Sequence, residues 1–357
     1  MARQAFHTLD GLRGLAAIAV VLIHMGMIFP LAWYPAGAYL AVDLFFGLSG
    51  FVMAEAYSAR LDAGMPVSDF MRKRVLRLWP LYALGLTIGA ATTASRVLIH
   101  YSPPSALTPY PLALLYIPWS GPKGELYPLN LPAWSLFYEL AVNMAMAVGW
   151  RRLTNRALLV LVALSALGLI ASAFAIGSLN GGLSWRGAPI AVSRVTFSFF
   201  LGILLWRVRL RSLKIAAPIP LIILAIGLTI DTTLLPRTVI DLLEVFLLFP
   251  SIILLGASTQ PTEGSVALFG GVGGISYALY AVHEPLLQLT SSFIHNVLHV
   301  PVQAVPHWAC MILLAGLILL AWVLNDLDVT LRGYLDRFIR WMTRRPAQIL
   351  RSVPDQP

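Results

Sequence analysis

Leu158 to Gly177 is an unbroken apolar run with no charged residue. A run of 18 or more apolar residues is long enough to cross a bilayer as a helix. The same criterion is met repeatedly along this chain. Of its 357 residues 58% are hydrophobic and 11% charged, against about 25% charged in soluble domains. The sequence therefore predicts an all-α, polytopic membrane bundle of about ten transmembrane helices. Their approximate cores are 11–29, 36–57, 77–96, 133–150, 157–177, 188–206, 215–230, 239–257, 268–289 and 305–324. The lone cysteine, Cys310, excludes an intrachain disulfide and any multi-cysteine metal site. It lies in an apolar run and reads as a small packed residue. The first apolar run is too long, and followed by too many others, to read as a cleaved signal peptide.

Orientation follows from the basic residues, because Lys and Arg accumulate in cytoplasmic loops. With the N-terminus inside, the inner segments hold Arg3 and Arg13; Arg60, Arg72, Lys73, Arg74 and Arg77; Arg151, Arg152 and Arg156; Arg207, Arg209, Arg211 and Lys214; and six tail arginines, Arg332 to Arg351. Only Arg96, Lys123, Arg186, Arg194 and Arg237 fall outside. The reading is N-in and C-in, with an even number of spans. The net charge of +9 is thus a topology signal and not one for nucleic acid.

Two segments are not read as spanning. Residues 97–132 form the longest loop, on the outer side, with eight prolines and the aromatic residues Tyr101, Tyr110, Tyr116, Trp119 and Tyr127. It reads as an interfacial aromatic belt or as a lid over an outer substrate such as a sugar. Residues 325–357 read as a basic cytoplasmic tail, separate from a transmembrane domain at 1–324. In the tail, Leu331, Leu335, Phe338 and Met342 alternate with Arg332, Arg337, Arg340 and Arg344. That pattern predicts an amphipathic helix on an anionic membrane surface.

Ionisable residues inside spans are costly and mark function by default. Arg13 and His24 share the first apolar run. Eleven residues, or about 16 Å of helix, separate them, so both project from one face. Depth counting places His24, Asp43, Glu139, Arg194, His283 and Glu284 in one outer layer, where their charges can compensate. His24 is the natural proton acceptor. A carboxylate on its far nitrogen, from Asp43 or Glu139, would fix its tautomer. Arg194 would neutralise the carboxylates or stabilise developing negative charge. The plainer alternative is that these groups only lock helices together.

A second layer lies at the inner side. Arg74 and Arg77 are three residues apart on one helical face, with Arg72 and Lys73 beside them and Arg13 nearby. Guanidinium groups bind phosphate bidentately, so this is a candidate cradle for a phosphorylated cytosolic ligand. A positive-inside cluster also needs no ligand. Gly47, Ser49 and Gly50 read mainly as a close helix contact. Ser135 lacks a nucleophile elbow. No Walker loop, dinucleotide fingerprint or metal motif is present.

Several stretches together resemble the acyltransferase family 3 membrane proteins. They are Leu9-Asp10-Gly11-Leu12-Arg13-Gly14-Leu15-Ala16-Ala17 with His24 following; Asp43 to Phe51; Phe70 to Pro80 with its Arg74-x-x-Arg77; Trp134-Ser135-Leu136-Phe137-Tyr138-Glu139; and Ser276 to Pro285. They occur in order, with family-like spacing, over most of the transmembrane core. One departure is Asp328-Val-Thr-Leu-Arg332, where the family often has an acidic residue followed by proline. The resemblance implies a bacterial, multi-pass inner-membrane enzyme for O-acetylation. It would move an acyl group, usually acetyl, from acetyl-CoA or another acyl-CoA co-substrate to a hydroxyl of a cell-envelope glycan, a lipid-linked saccharide or an exported molecule. It implies His24 as the key catalytic residue and Arg13, Arg74 and Arg77 as donor-binding residues, with no permanently bound cofactor. The competing expectation is a secondary transporter of a small anionic or sugar substrate, which would also hold paired charges in mid-membrane.

Overall fold

The computed structural model describes residues 6–119, 124–209, 215–230 and 235–349, and side chains up to residue 338. Twelve α-helices are described, with short 3-10 turns between some of them: α1 (His7–Ile28), α2 (Ala41–Asp62), α3 (Val67–Leu98), α4 (Pro109–Leu114), α5 (Ala133–Gly149), α6 (Asn155–Ile176), α7 (Ala188–Val208), α8 (Pro218–Gly227), α9 (Arg237–Leu243), α10 (Phe249–Ser258), α11 (Glu263–Asn296) and α12 (His307–Ile349). A π-helical turn, Glu244–Leu248, joins α9 to α10. The protein is a helical bundle, and no strand is present among the described residues.

Helix ends follow local chemistry. The Thr154 hydroxyl accepts from the Ala157 N–H at the start of α6, and Gly177 ends that helix with φ +85°, a left-handed conformation that glycine adopts without a Cβ penalty. The outer faces are inside-out relative to a soluble protein. Leu159, Val160, Leu164 and Leu167 on α6, and Met311, Ile312, Leu319 and Val323 on α12, are exposed. Such faces are stable against lipid. This is a multi-pass membrane protein.

Among the described residues, eight helices are long and apolar enough to cross a membrane. The ten expected cores all fall on helices. Of the remaining two, α5 has 17 residues and α8 has ten. Residues 210–214 and 231–234, which carry Arg211 and Lys214, lie outside the described residues, as do Arg3, Lys123 and Arg351.

At the centre, α1 and α11 run side by side in the same direction. A methyl group on Gly14 would strike Val272, and one on Gly273 would strike Asp10, so bare glycines let these two backbones close in. Helix α3 lies along α11, and α12 returns past both. Helices α2 and α7 are held equally close at Gly50 and Gly202, each against the other helix's carbonyls. The Gly47–Gly50 stretch is therefore a packing surface, as expected, although Ser49 turns toward the interior.

Two expectations change. First, the Pro-rich segment 97–132 does not stay at the surface. Arg96 meets Ser292 near the far ends of α3 and α11, yet the Trp79 indole N–H donates to the Leu114 carbonyl and the Tyr82 hydroxyl to Ala113. Trp79 lies seventeen residues, about 26 Å, down α3 from Arg96. The segment is re-entrant, with Tyr116 stacked on Tyr82 at 4.0 Å and accepting a hydrogen bond from the Tyr127 hydroxyl at its carbonyl. Only Tyr101 and Trp119 retain the exposure expected of an interfacial belt.

Second, α5 begins deep. Pro285 removes the N–H that would bond the Ala281 carbonyl, and the Asn130 side chain donates there instead at 2.9 Å. Ala281 is eleven residues below Ser292, or about 16 Å. Glu139 is thereby moved out of the expected outer layer. Helix α12 runs without a break past residue 324. At 43 residues it is about 65 Å long. Its side chains from Ile339 on, including Arg340, Met342 and Arg344, lie outside the described residues.

Candidate active site

Helices α1, α2, α3, α5 and α11 enclose a cavity of about 250 Å³. Arg13, Arg74, Arg77 and Glu139 line one end. Phe45, Ser135 and Tyr280 line the other. A second pocket of about 390 Å³ shares Arg13, Val52, Met53, Arg74 and Arg77 with it, and extends past Asp10, Lys73 and Glu55. Arginine side chains thus stand where the two spaces adjoin.

The three expected donor-binding arginines converge here. Each has a carboxylate partner and keeps donors to spare. Arg13 Nη1 donates to Asp10 at 3.0 Å, one turn back on α1. Arg74 Nη2 lies 3.3 Å from Glu139 Oε1, and its buried Nε has no hydrogen-bond partner. Arg77 Nη1 is 3.6 Å from Asp328 Oδ2, and its guanidinium lies over the Tyr277 ring, 5.4 Å from the centroid. Asp328, fully buried, is shared with Arg332 at 2.7 Å. The sequence offered no view of Asp328 as a partner, because the interaction depends on α12 staying helical past its membrane core.

Glu139 accepts from Ser49 Oγ, and from Asn143 Nδ2 at 3.0 Å as well as from Arg74. It belongs to the arginine end. It is not the partner of His24.

Asp43 is not that partner either. Arg194 holds it with Nη2–Oδ2 at 2.6 Å and Nε–Oδ1 at 3.2 Å. The same guanidinium donates to the Gly181 carbonyl at 2.7 Å and the Tyr39 carbonyl at 2.9 Å, and lies 5.5 Å from the Trp134 centroid. Both residues are about 1% exposed. A charge pair so fully satisfied is built for holding α2 to α7. Behind it, Tyr39, Arg237 and the buried Asp241 form another network, with Arg237 Nε–Asp241 Oδ1 at 2.6 Å and Glu244 at the start of the π turn. Sequence reading placed Arg237 outside and passed over Asp241 and Glu244, which show no periodic signal.

His24 meets His283 instead. His283 Nε2 is 3.0 Å from His24 Nδ1, with ring centroids 4.9 Å apart. His24 Nδ1 is also 2.9 Å from the Val20 carbonyl. His283 is fully buried and His24 half-buried. The pair sits one side chain beyond the cavity's deep end. Tyr280, a cavity residue, lies 5.9 Å from the His283 ring and packs edge-on to Phe45 at 5.6 Å. Its hydroxyl is 2.7 Å from Ser135 Oγ, which donates back to the Pro132 carbonyl at 3.0 Å. The three-residue spacing of Tyr277, Tyr280 and His283, neighbours on a helix surface, was the signal available for this wall.

Fold and site together define a polytopic membrane protein with an imidazole pair beside an arginine-lined cavity. The family model described as "Acyltransferase domain", acyltransferase family 3, matches residues 6–326. The chain belongs to this family and is an O-acyltransferase-type membrane enzyme. It is 38% identical over 185 residues to "Protein 2 in picA locus" of Rhizobium radiobacter, an alignment covering 48% of this chain and 95% of that protein. No solved structure matches the chain.

Proposed function

We propose that the enzyme carries an acyl group, usually acetyl, from cytosolic acyl-CoA to a hydroxyl of a cell-envelope glycan, a lipid-linked saccharide or an exported molecule, in a bacterial inner membrane. The observation that carries this reading is the cavity itself. One end offers three guanidinium groups with unused donors, and the other stops at the Tyr280 ring beside the imidazole pair. Positive-inside counting puts the arginine end in the cytoplasm, where acyl-CoA is found.

In this reading Arg13, Arg74 and Arg77 bind the donor's phosphates. The thioester reaches past the Phe45–Tyr280 edge contact toward His24. His24 takes the proton of the acceptor hydroxyl as its oxygen attacks the thioester carbon. The carbon–sulfur bond breaks, and the proton passes on to the departing thiolate. Products are the ester and free CoA thiol. Asp43 serves indirectly, by fixing α2 against α7, and Glu139 by holding Arg74.

The test is mass spectrometry of envelope glycans and exported metabolites from cells with and without the protein. An acyl-sized mass increase that requires the protein is expected. Identical profiles under conditions where the protein is made would contradict the reading.

A further inference from the structure

Hydrogen-bond bookkeeping around the two imidazoles decides which nitrogen does what. His283 Nδ1 faces the Tyr280 carbonyl at 2.8 Å and the Leu279 carbonyl at 3.1 Å. A carbonyl oxygen only accepts, so this nitrogen carries a hydrogen. In a neutral ring, Nε2 of His283 is then a bare acceptor. That bare nitrogen is one of two groups facing His24 Nδ1; the other is the Val20 carbonyl. Both accept, so His24 Nδ1 must donate. The remaining nitrogen of His24, Nε2, is left with its lone pair.

The reverse arrangement is disfavoured twice. A doubly protonated His283 would be a fully buried cation, with no carboxylate among its hydrogen-bond partners. It would also turn a lone pair of His24 Nδ1 toward the Val20 carbonyl at 2.9 Å.

We infer that His283 is a positioning residue that holds His24 in the tautomer whose Nε2 is the base. The polarity originates in the α11 backbone and is relayed through two rings, with no carboxylate in the chain. Pro285 and Asn130 support it, because they fix the helix at the turn just below His283. The inference rests on the acyl-transfer reading for what the free nitrogen does, but the tautomer itself does not depend on it. A neutral orienter suits this site, since a buried carboxylate would demand a compensating cation in mid-membrane.

The test joins spectroscopy to kinetics on the full-length protein in detergent or nanodiscs. Nitrogen-15 NMR of histidine-labelled wild type, with His24 assigned by loss of its signals in His24→Ala, reports each ring nitrogen. A protonated Nδ1 and bare Nε2 on His24 are expected, and the opposite pattern would overturn the inference without any appeal to activity. In acyl-transfer assays, His283→Gln keeps an acceptor near the old Nε2 position and should retain activity within about tenfold. His283→Leu removes it and should lower kcat by about 100-fold or more, with KM for acyl-CoA unchanged. Equal losses in Gln and Leu variants, or wild-type kcat in His283→Leu, would overturn the positioning role. Full activity in His24→Ala would instead bring down the acyl-transfer reading on which that role rests.

Discussion

Glu139 on α5 and Arg74 on α3 meet at 3.3 Å, each with a side chain 12% exposed, at the arginine-lined end of the cavity. This contact ties α5, which starts deep in the bundle, to the candidate donor site. Removing one partner of a largely buried pair typically costs about 3 kcal/mol, because it strands the other charge. Glu139→Ala and Arg74→Ala should each lower thermal stability in detergent, and the double variant should lose less than their sum by about 1 kcal/mol. Strict additivity would show that the pair does not act as a unit.

The Asp43–Arg194 pair is expected to behave as a structural clamp. Arg194 uses its planar fork on Asp43, Gly181 and Tyr39 together. A lysine supplies a point charge and cannot reproduce that geometry. Arg194→Lys should destabilise by about 2 kcal/mol or more, visible as a lower unfolding midpoint and increased proteolysis. Activity per folded molecule should survive better than folding does. A fully stable but inactive Arg194→Lys enzyme would argue for a direct role in chemistry.

Arg77 presents the contrasting case. Its side chain is 40% exposed and lies 3.6 Å from Asp328, so its loss should cost little stability. Arg77→Ala should weaken acyl-CoA binding about tenfold, or about 1.4 kcal/mol, with kcat changed less. Binding should also weaken as salt rises, since phosphate–guanidinium contacts at an open mouth are screened. Donor affinity equal to wild type would leave this arginine as a topology signal only.

The re-entrant segment is open to chemical labelling. Cys310 is the chain's lone cysteine and is buried, so engineered cysteines report cleanly. Tyr101→Cys should react quickly with a membrane-impermeant maleimide, because Tyr101 is exposed. Ala113→Cys, buried against Tyr82, should stay unreactive until the protein is denatured. Rapid labelling at both positions would return the segment to the surface.

Much of the scaffold was legible because it depends on local rules. The charge-free run Leu158–Gly177 becomes α6, ended by its own glycine. The convergence of Arg13, Arg74 and Arg77 was legible too, since Arg13 and Arg77 sit at the edges of apolar runs and Arg74 lies three residues from Arg77 on the same helical face. The depth of Glu139 was not. Counting from Pro132 assumes that α5 starts at the membrane surface, whereas a backbone carbonyl far away in sequence, Ala281, anchors Asn130 and sets the start. His283 was seen as a charge in a layer, but its partner could not be read, because Asp43 and Glu139 were satisfied by arginines whose rotamers no pattern reveals. The pairing of Asp328 with Arg332 and with Arg77 was not legible either, because it joins α12 to a helix more than 200 residues earlier in the chain.

The central claim is that a proton-accepting imidazole at His24 serves acyl transfer from a donor held by the arginines. Inside-out membrane vesicles supplied with radiolabelled acetyl-CoA test it directly, with donor binding and label incorporation measured on the same preparations. His24→Ala should bind acetyl-CoA with wild-type Kd and transfer no label to envelope material. Label transferred at the wild-type rate by His24→Ala would contradict the account.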